Sequence, residues 1–445
     1  MTTIAGFSYF PLRCGTNGKI EKPAELRALT DHVTSATPTD IIFLGHGFRN
    51  DENDAGTLYA EFLQTFSAHV ERPEFAGLKA RRFAVCALFW PSKTFQESFG
   101  EGAVQSLDDA ETEKREVRRR LEHLKTAEAR QDQRPKIQKA IDLLDTVEDN
   151  PAAQDEFVTL VLSLLDDAEL DETEGLQKIR AQEGSHLLEL LEEPLILPTV
   201  PDDSDSDGGL RGVGGDGFDE SGQTQGVVSV FGSVFGRIGQ FLNLTTWYMM
   251  KNRSGTVGAN GCVDAVRAVR TVAPSVKVHL VGHSLGGRLM AACARALAEE
   301  GAQKVDSLTL LQAAFSHYGL SSTRKGKPGF FRAIIEKQVV RGPLIATYSW
   351  QDTVVGKAYA IMSRLANDNV EAIGDQNDEY GGIGRNGAQN AQGSIIEPLH
   401  QAGSAYAFSA GMIINLDGTG GLIVDHGDVR NPNVTYAFAS AVDRT

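Results

Sequence analysis

Cysteine is scarce in this chain, with only Cys14, Cys86, Cys262 and Cys293 among 445 residues. They lie far apart in mostly apolar settings, which excludes a disulfide framework and a thiolate metal site and marks them as reduced packing residues. Basic charge is short as well: 43 Lys and Arg against 59 Asp and Glu leave a formal net charge of -16. A nucleic-acid partner demands a basic face, so that class is excluded, and no phosphate-cradling loop is present. Long unbroken apolar runs are missing too. The best stretch, 227–250, is interrupted by Arg237, Gln240, Asn243 and three interior glycines, which defeats a membrane span. The first residues show no basic start followed by a sustained apolar core, so no secretory signal is read. The cytoplasm is the expected location, with leaderless export the open alternative.

What is present is a core with an interruption. At 445 residues and 41% apolar content, the chain exceeds one compact core and predicts a core plus a large insertion. Apolar strands at 7–12, 41–44, 82–90, 278–281, 307–311 and 344–350 alternate with helical stretches. This predicts an α/β fold, a doubly wound and mostly parallel sheet covered on both faces. The expected division is a core at 1–100, a helical insertion at 101–200, a flexible Asp/Gly/Ser-rich linker at 201–226 and the rest of the core at 227–445.

The insertion is charged and amphipathic. Glu111 and Arg115, and Glu116 and Arg120, stand at pairing distance, and Ile137, Ile141, Leu144 and Val147 form an apolar stripe, with Pro135, Pro151 and Pro194 between helices. It reads as a cap over a site, or as an arm for a protein partner. In 227–250 the helical spacing of Phe231, Phe235, Ile238 and Leu242 predicts a packed helix of the sheet layer; the sharper reading is an apolar lid touching lipid or a membrane surface. The loop 374–392 carries Asp375, Asp378 and Glu379, but their spacing matches no established calcium loop, so a solvated turn is expected there and no metal.

One stretch is loaded with chemistry. Residues 278–287 read VHLVGHSLGG, an apolar strand passing through a tight turn into a good helix former that stops at Gly301. Such a turn makes Ser284 a candidate nucleophile: Gly282 and Gly286 remove side chains that would collide at a strained elbow. The Leu285 amide then sits at a helix N-terminus, where unpaired donors favour an oxyanion. A second donor is expected from the earlier strand ending in His46-Gly47, with the Phe48 amide preferred. His283 is expected to shape the elbow without reacting.

A serine hydroxyl needs a base and a group that orients the base. Asp352, just past the strand at 344–350, is the preferred acid, over Asp375, Asp378 and over Asp306, which precedes its strand. His426 is the preferred base, following a predicted short strand at 421–424; His400 is the runner-up and His317 breaks the chain order.

These pieces, the Gly45-His46-Gly47-Phe48-Arg49-Asn50-Asp51 turn, the strand ending in Trp90-Pro91-Ser92, the GHSLGG elbow, the strand before Asp352 and the His426 loop, resemble the α/β-hydrolase superfamily, in particular its lipase-like bacterial serine esterases. The resemblance covers roughly residues 1–100 and 227–445. It implies hydrolysis of a carboxylic ester or lipid through an acyl-enzyme, with Ser284, Asp352 and His426 as triad and no cofactor. The 74 residues from acid to base are more than a compact hydrolase needs. The competing class is a non-catalytic scaffold that binds a protein through its helical insertion.

Overall fold

The computed structural model describes residues 2–93, 110–128, 131–166, 168–170, 172–192, 233–301, 303–367 and 376–445. Asp375, Pro194, Phe231 and the predicted linker lie outside the described residues. Among the described residues nine strands form one sheet: β1 (Thr2–Ile4), β2 (Phe7–Arg13), β3 (Asp40–Gly45), β4 (Phe83–Phe89), β5 (Lys277–His283), β6 (Ser307–Leu311), β7 (Leu344–Tyr348), β8 (Ile395–Pro398) and β9 (Ile413–Asp417). Their order is β1-β2-β4-β3-β5-β6-β7-β9-β8, parallel throughout except for the antiparallel hairpin β1–β2. The architecture is therefore α/β with a mostly parallel sheet.

Strand composition explains the layering. β3, β4, β6 and β7 are buried at every position, because in a parallel sheet both faces are covered by crossover helices. Ile42, Leu44, Val85 and Ala87 pack in one cluster with Phe62 and Phe66 of helix Glu52–Val70 and Phe438 of helix Pro432–Asp443. The alternate positions, such as Ile41, Phe43, Cys86 and Leu280, are fully buried as well. Helices Pro23–Ala36, Val263–Val272 and Leu285–Glu300 form the second helical set, with Val263–Val272 in contact with the other two. Helix Glu52–Val70 starts where it does because Asp51 and Asp54 form a reciprocal capping box, Asp51 Oδ1 accepting from the Asn53 and Asp54 amides at 2.8 and 3.0 Å.

Strand order also locates a crevice. From β3 the chain moves outward to β4 on one side, and from β5 it moves to β6 on the other, so the connections diverge between the adjacent strands β3 and β5. In open parallel sheets the carboxyl ends of such strands leave a gap that a ligand can occupy.

Two compact units are present, 1–92 with 250–355 and 381–445, and 93–249 with 356–380. This differs from the expected division: residues 234–249 and 356–380, read as core, belong to the second unit. The reason is packing between segments distant in sequence. Tyr359 donates to the Glu174 carboxylate at 2.9 Å, Tyr248 to the Glu174 carbonyl at 2.5 Å, and Trp247 meets the Tyr359 ring edge-on at 5.5 Å. Phe235, Ile238, Phe241, Leu242 and Trp247 of helix Val234–Val257 are buried. Among the described residues no helix is long and apolar enough to cross a membrane.

In the same unit Ile137, Ile141, Leu144 and Val147 are buried. Glu116 pairs with Arg119 at 2.7 Å, while Arg120 turns inward to the Gly239 carbonyl and the Asn243 side chain.

One local expectation is corrected and another is refined. The strand expected at 421–424 is absent; the real one is β9, which pairs with β7, and the chain then turns through Gly420 and Gly421, both at positive φ. The run Gly421 to Val424 is a plug: Ile423 is fully buried and Val424 exposed. The loop expected at 374–392 divides: 376–377 form an exposed turn beside Asp378 and Glu379, as expected, whereas positions 380–388 are buried and include the short helix Ile383–Asn386. Small residues made the stretch look loop-like, whereas here they allow close packing. A Cβ on Gly381 would stand 2.5 Å from the His317 ring, and one on Gly384 2.6 Å from the Gln312 carbonyl carbon.

Candidate active site

Ser284 follows the carboxyl end of β5 and directly precedes helix Leu285–Glu300. Its backbone is left-handed, φ 56° and ψ −125°, an uncommon conformation for a residue with a side chain. The glycines permit it. A Cβ on Gly282 would strike the Gly286 carbonyl, and one on Gly286 would lie 2.5 Å from the His46 carbonyl oxygen. The elbow is also held by main chain, the Ser284 amide donating to the Leu311 carbonyl at 3.0 Å and its carbonyl accepting from Ala314 at 3.0 Å.

The turn after β3 lies against this elbow. A Cβ on Gly47 would come within 2.8 Å of the Ser284 Cβ and 3.3 Å of its Oγ, so no larger residue fits beside the hydroxyl. This contact sits at the β3–β5 divergence. The turn is fastened to the end of β4: the Trp90 indole N–H donates to the His46 carbonyl at 3.0 Å, the Arg49 amide to the Ser92 carbonyl at 3.1 Å, and the Ser92 hydroxyl to the Asn50 carbonyl at 2.8 Å. Phe48 lies half-buried on this fastened segment. Leu285 is the first helical residue after the serine.

Asp352 and His426, 74 residues apart, are in direct contact: His426 Nδ1 donates to Asp352 Oδ2 at 2.8 Å. Both are buried, 1% and 0% exposed. The carboxylate accepts at Nδ1, which leaves Nε2 as the proton acceptor of the neutral ring. Asp352 has a second task. Its Oδ1 accepts from the Val355 amide at 2.9 Å, capping helix Thr353–Asn367, so the cap and the imidazole partner are one carboxylate with its two oxygens divided between them.

His283 links the elbow to this pair. Its Nε2 donates to the His426 carbonyl at 2.9 Å, and the two rings stand 4.6 Å apart. Burial, and then the neighbouring His426, hold the His283 pKa well below its ordinary value, so it stays neutral and its partner is fixed. Gln312, at the end of β6, shares the work, its side-chain amide donating to the Asp425 and His426 carbonyls at 2.9 Å each. Sequence reading missed Gln312; its one signal was a polar residue immediately after a buried strand.

The competing residues are engaged elsewhere. His317 Nδ1 meets the Asn386 side chain at 3.1 Å, and His400 stacks on Tyr406 at 4.8 Å. Asp306 lies at the amino end of β6, bound to Arg270 at 2.8 Å. Asp378 accepts from Ser363 at 2.7 Å and Glu379 pairs with Lys178 at 3.0 Å. Among the described residues no group of three or more His, Cys, Asp and Glu is placed to hold a metal.

No family model, curated protein or solved structure matches this chain. Function is therefore read from the side chains themselves.

His46 makes the β3 turn acid-sensitive. Its Nδ1 lies 3.0 Å from the Gly47 carbonyl and its Nε2 accepts from the Trp90 amide at 3.2 Å, a set that suits only the neutral ring. Burial lowers its pKa from 6.5 to about 4, only partly offset by the Gly47 carbonyl. The unfolded chain therefore binds the extra proton first. The stabilisation is complete above pH 6.5 and is lost as pH falls towards 4, amounting to about 3 kcal/mol. Urea midpoints between pH 7.5 and 4.5 should fall less steeply in His46→Gln than in the parent; parallel slopes would remove His46 from this account.

Proposed function

We propose that this chain hydrolyses carboxylic esters, including lipid esters, through an acyl-enzyme on Ser284, on a fold of the α/β-hydrolase kind. The observation that carries the reading is the His426–Asp352 contact, tied through His283 to a serine held in a left-handed strand-to-helix turn. In this reading Ser284 Oγ attacks the acyl carbon while His426 Nε2 takes its proton. Asp352 keeps the imidazole in the Nδ1–H tautomer and stabilises the imidazolium that forms. The amides of Phe48 and Leu285 receive the oxyanion, each worth roughly 100- to 1000-fold in turnover. His426 then protonates the leaving alcohol, and water repeats the sequence to release the acid. The chemistry needs no cofactor.

The location supports the same reading: elbow and β3 turn meet where strand connections diverge, the usual crevice of an open parallel sheet. A panel of p-nitrophenyl esters of rising chain length, with a phospholipid and a peptide alongside, tests it. Ester turnover is expected, without peptide cleavage. A folded protein that turns over no ester and takes up no fluorophosphonate would instead be a scaffold.

A further inference from the structure

Of the eight non-glycine residues with left-handed backbone among the described residues, three stand at one rim of the sheet. Arg49, Ser284 and Gln312, at φ 62°, 56° and 40°, each follow the carboxyl end of a parallel strand, β3, β5 and β6. Such strain persists where the surroundings hold it and concentrates at working sites. Arg49 belongs to the β3 turn and Ser284 is the proposed nucleophile. Gln312 has no part in the chemistry above, yet it shares that left-handed backbone.

Its side chain is fully buried, and both of its hydrogen-bond donors are used on the chain segment bearing His426: one reaches the Asp425 carbonyl and the other the His426 carbonyl, each at 2.9 Å. Since both partners are acceptors, the amide orientation is determined. The carbonyl oxygen Oε1 is left buried without a hydrogen-bond partner. A buried unsatisfied acceptor is unfavourable and rare in folded proteins, so an apolar side chain of this length would serve packing better. Backbone bonds fix the residue from behind, its amide lying 3.2 Å from both the carbonyl and the hydroxyl of Thr347. Gly384 covers it, with no room for a Cβ. These contacts fix the Gln312 backbone from which the side chain reaches the His426 segment.

We infer that Gln312 is a positioning residue for the base: its amide sets the Asp425–His426 backbone, and through it the place of the imidazole against Asp352. The role is specific to glutamine. Asparagine is one methylene too short to reach both carbonyls, glutamate would oppose two carbonyl oxygens with a carboxylate, and methionine keeps the volume but donates nothing. His283 holds the same His426 carbonyl from the elbow, so the loop stays attached when Gln312 is replaced but loses its second point of support. The inference rests on the hydrolase reading for its kinetic consequence, not for its structural one.

The test uses the full chain and two readouts. For Gln312→Met, kcat on a p-nitrophenyl ester is expected to fall about 10- to 100-fold with KM within about twofold, as a small displacement of a catalytic group costs that much without altering ground-state binding. Independently, the downfield proton resonance of the His426 Nδ1–H, assigned by its loss in Asp352→Asn, should shift or broaden in Gln312→Met. Gln312→Asn should do the same, and serves alone if the methionine variant does not fold. Parent-like kcat together with an unchanged resonance would overturn the proposal. Altered resonance in a chain whose parent hydrolyses no ester would sink the hydrolase reading and leave the positioning role intact.

Discussion

Replacing Ser284 by alanine is expected to abolish fluorophosphonate labelling and lower ester turnover at least about 10⁴-fold, while Ser307→Ala leaves both unchanged. The comparison is demanding because the fold contains a second serine–histidine–aspartate array. Ser307 Oγ lies 2.8 Å from His279 Nδ1, and His279 Nε2 3.0 Å from Asp40 Oδ1. By residue type alone the two arrays compete. Position separates them. Asp40 and Ser307 begin β3 and β6, at the amino edge of the parallel sheet, and all three residues are fully inaccessible. Ser307 has ordinary strand geometry with no helix N-terminus behind it, so nothing there could receive an oxyanion. Burial raises the Asp40 pKa, but the His279 hydrogen bond and the Arg81 charge pull it down further, leaving a net lowering and a structural ion network. Loss of the Ser307 hydroxyl should cost about 1 kcal/mol of stability and no activity. Labelling that follows Ser307, or survives Ser284→Ala, would refute the assignment.

Asp352→Asn is expected to reduce kcat about 10⁴-fold with the fold retained. Asparagine keeps an oxygen for the Val355 amide, so the cap on helix Thr353–Asn367 survives. Its NH₂ then faces His426 Nδ1, the imidazole moves its proton to Nε2, and the ring can no longer accept one from the serine. Asp352→Ala loses both functions and should cost about 1 kcal/mol of stability besides. Steady-state kinetics and melting temperature on the two variants separate tautomer from cap. Turnover of the asparagine variant within tenfold of the parent would remove Asp352 from the acid role.

Where reading the chain succeeded and failed follows from the range of the interactions involved. The β5 elbow was legible because a strand, two glycines, a serine and a helix former act within ten residues, and the steric reason for Gly282 and Gly286 is local. The fully buried strands β3 and β4 were legible because both faces demand apolar side chains. β9 was misplaced by a few residues because 413–417 and 421–424 are both short apolar runs, and only pairing with β7 chooses between them. That 380–388 is buried within the expected loop was not legible, because small and polar residues serve surface turns and tight interior packing alike. Residues 356–380 were assigned to the wrong unit because their partners, Glu174 and Trp247, lie more than a hundred residues earlier.

By itself the amino-acid order determined a mostly parallel α/β sheet and a tight glycine-flanked serine turn between one of its strands and a helix, since each depends on neighbours in the chain. Tertiary structure brought the preferred pair His426 and Asp352 into contact, and it alone decided that His283 and Gln312 grip the His426 carbonyl and that the look-alike array at Ser307 is sealed at the opposite edge. Those outcomes turn on distances of about 3 Å between residues tens to hundreds of positions apart, which strand order and register set and no local pattern encodes.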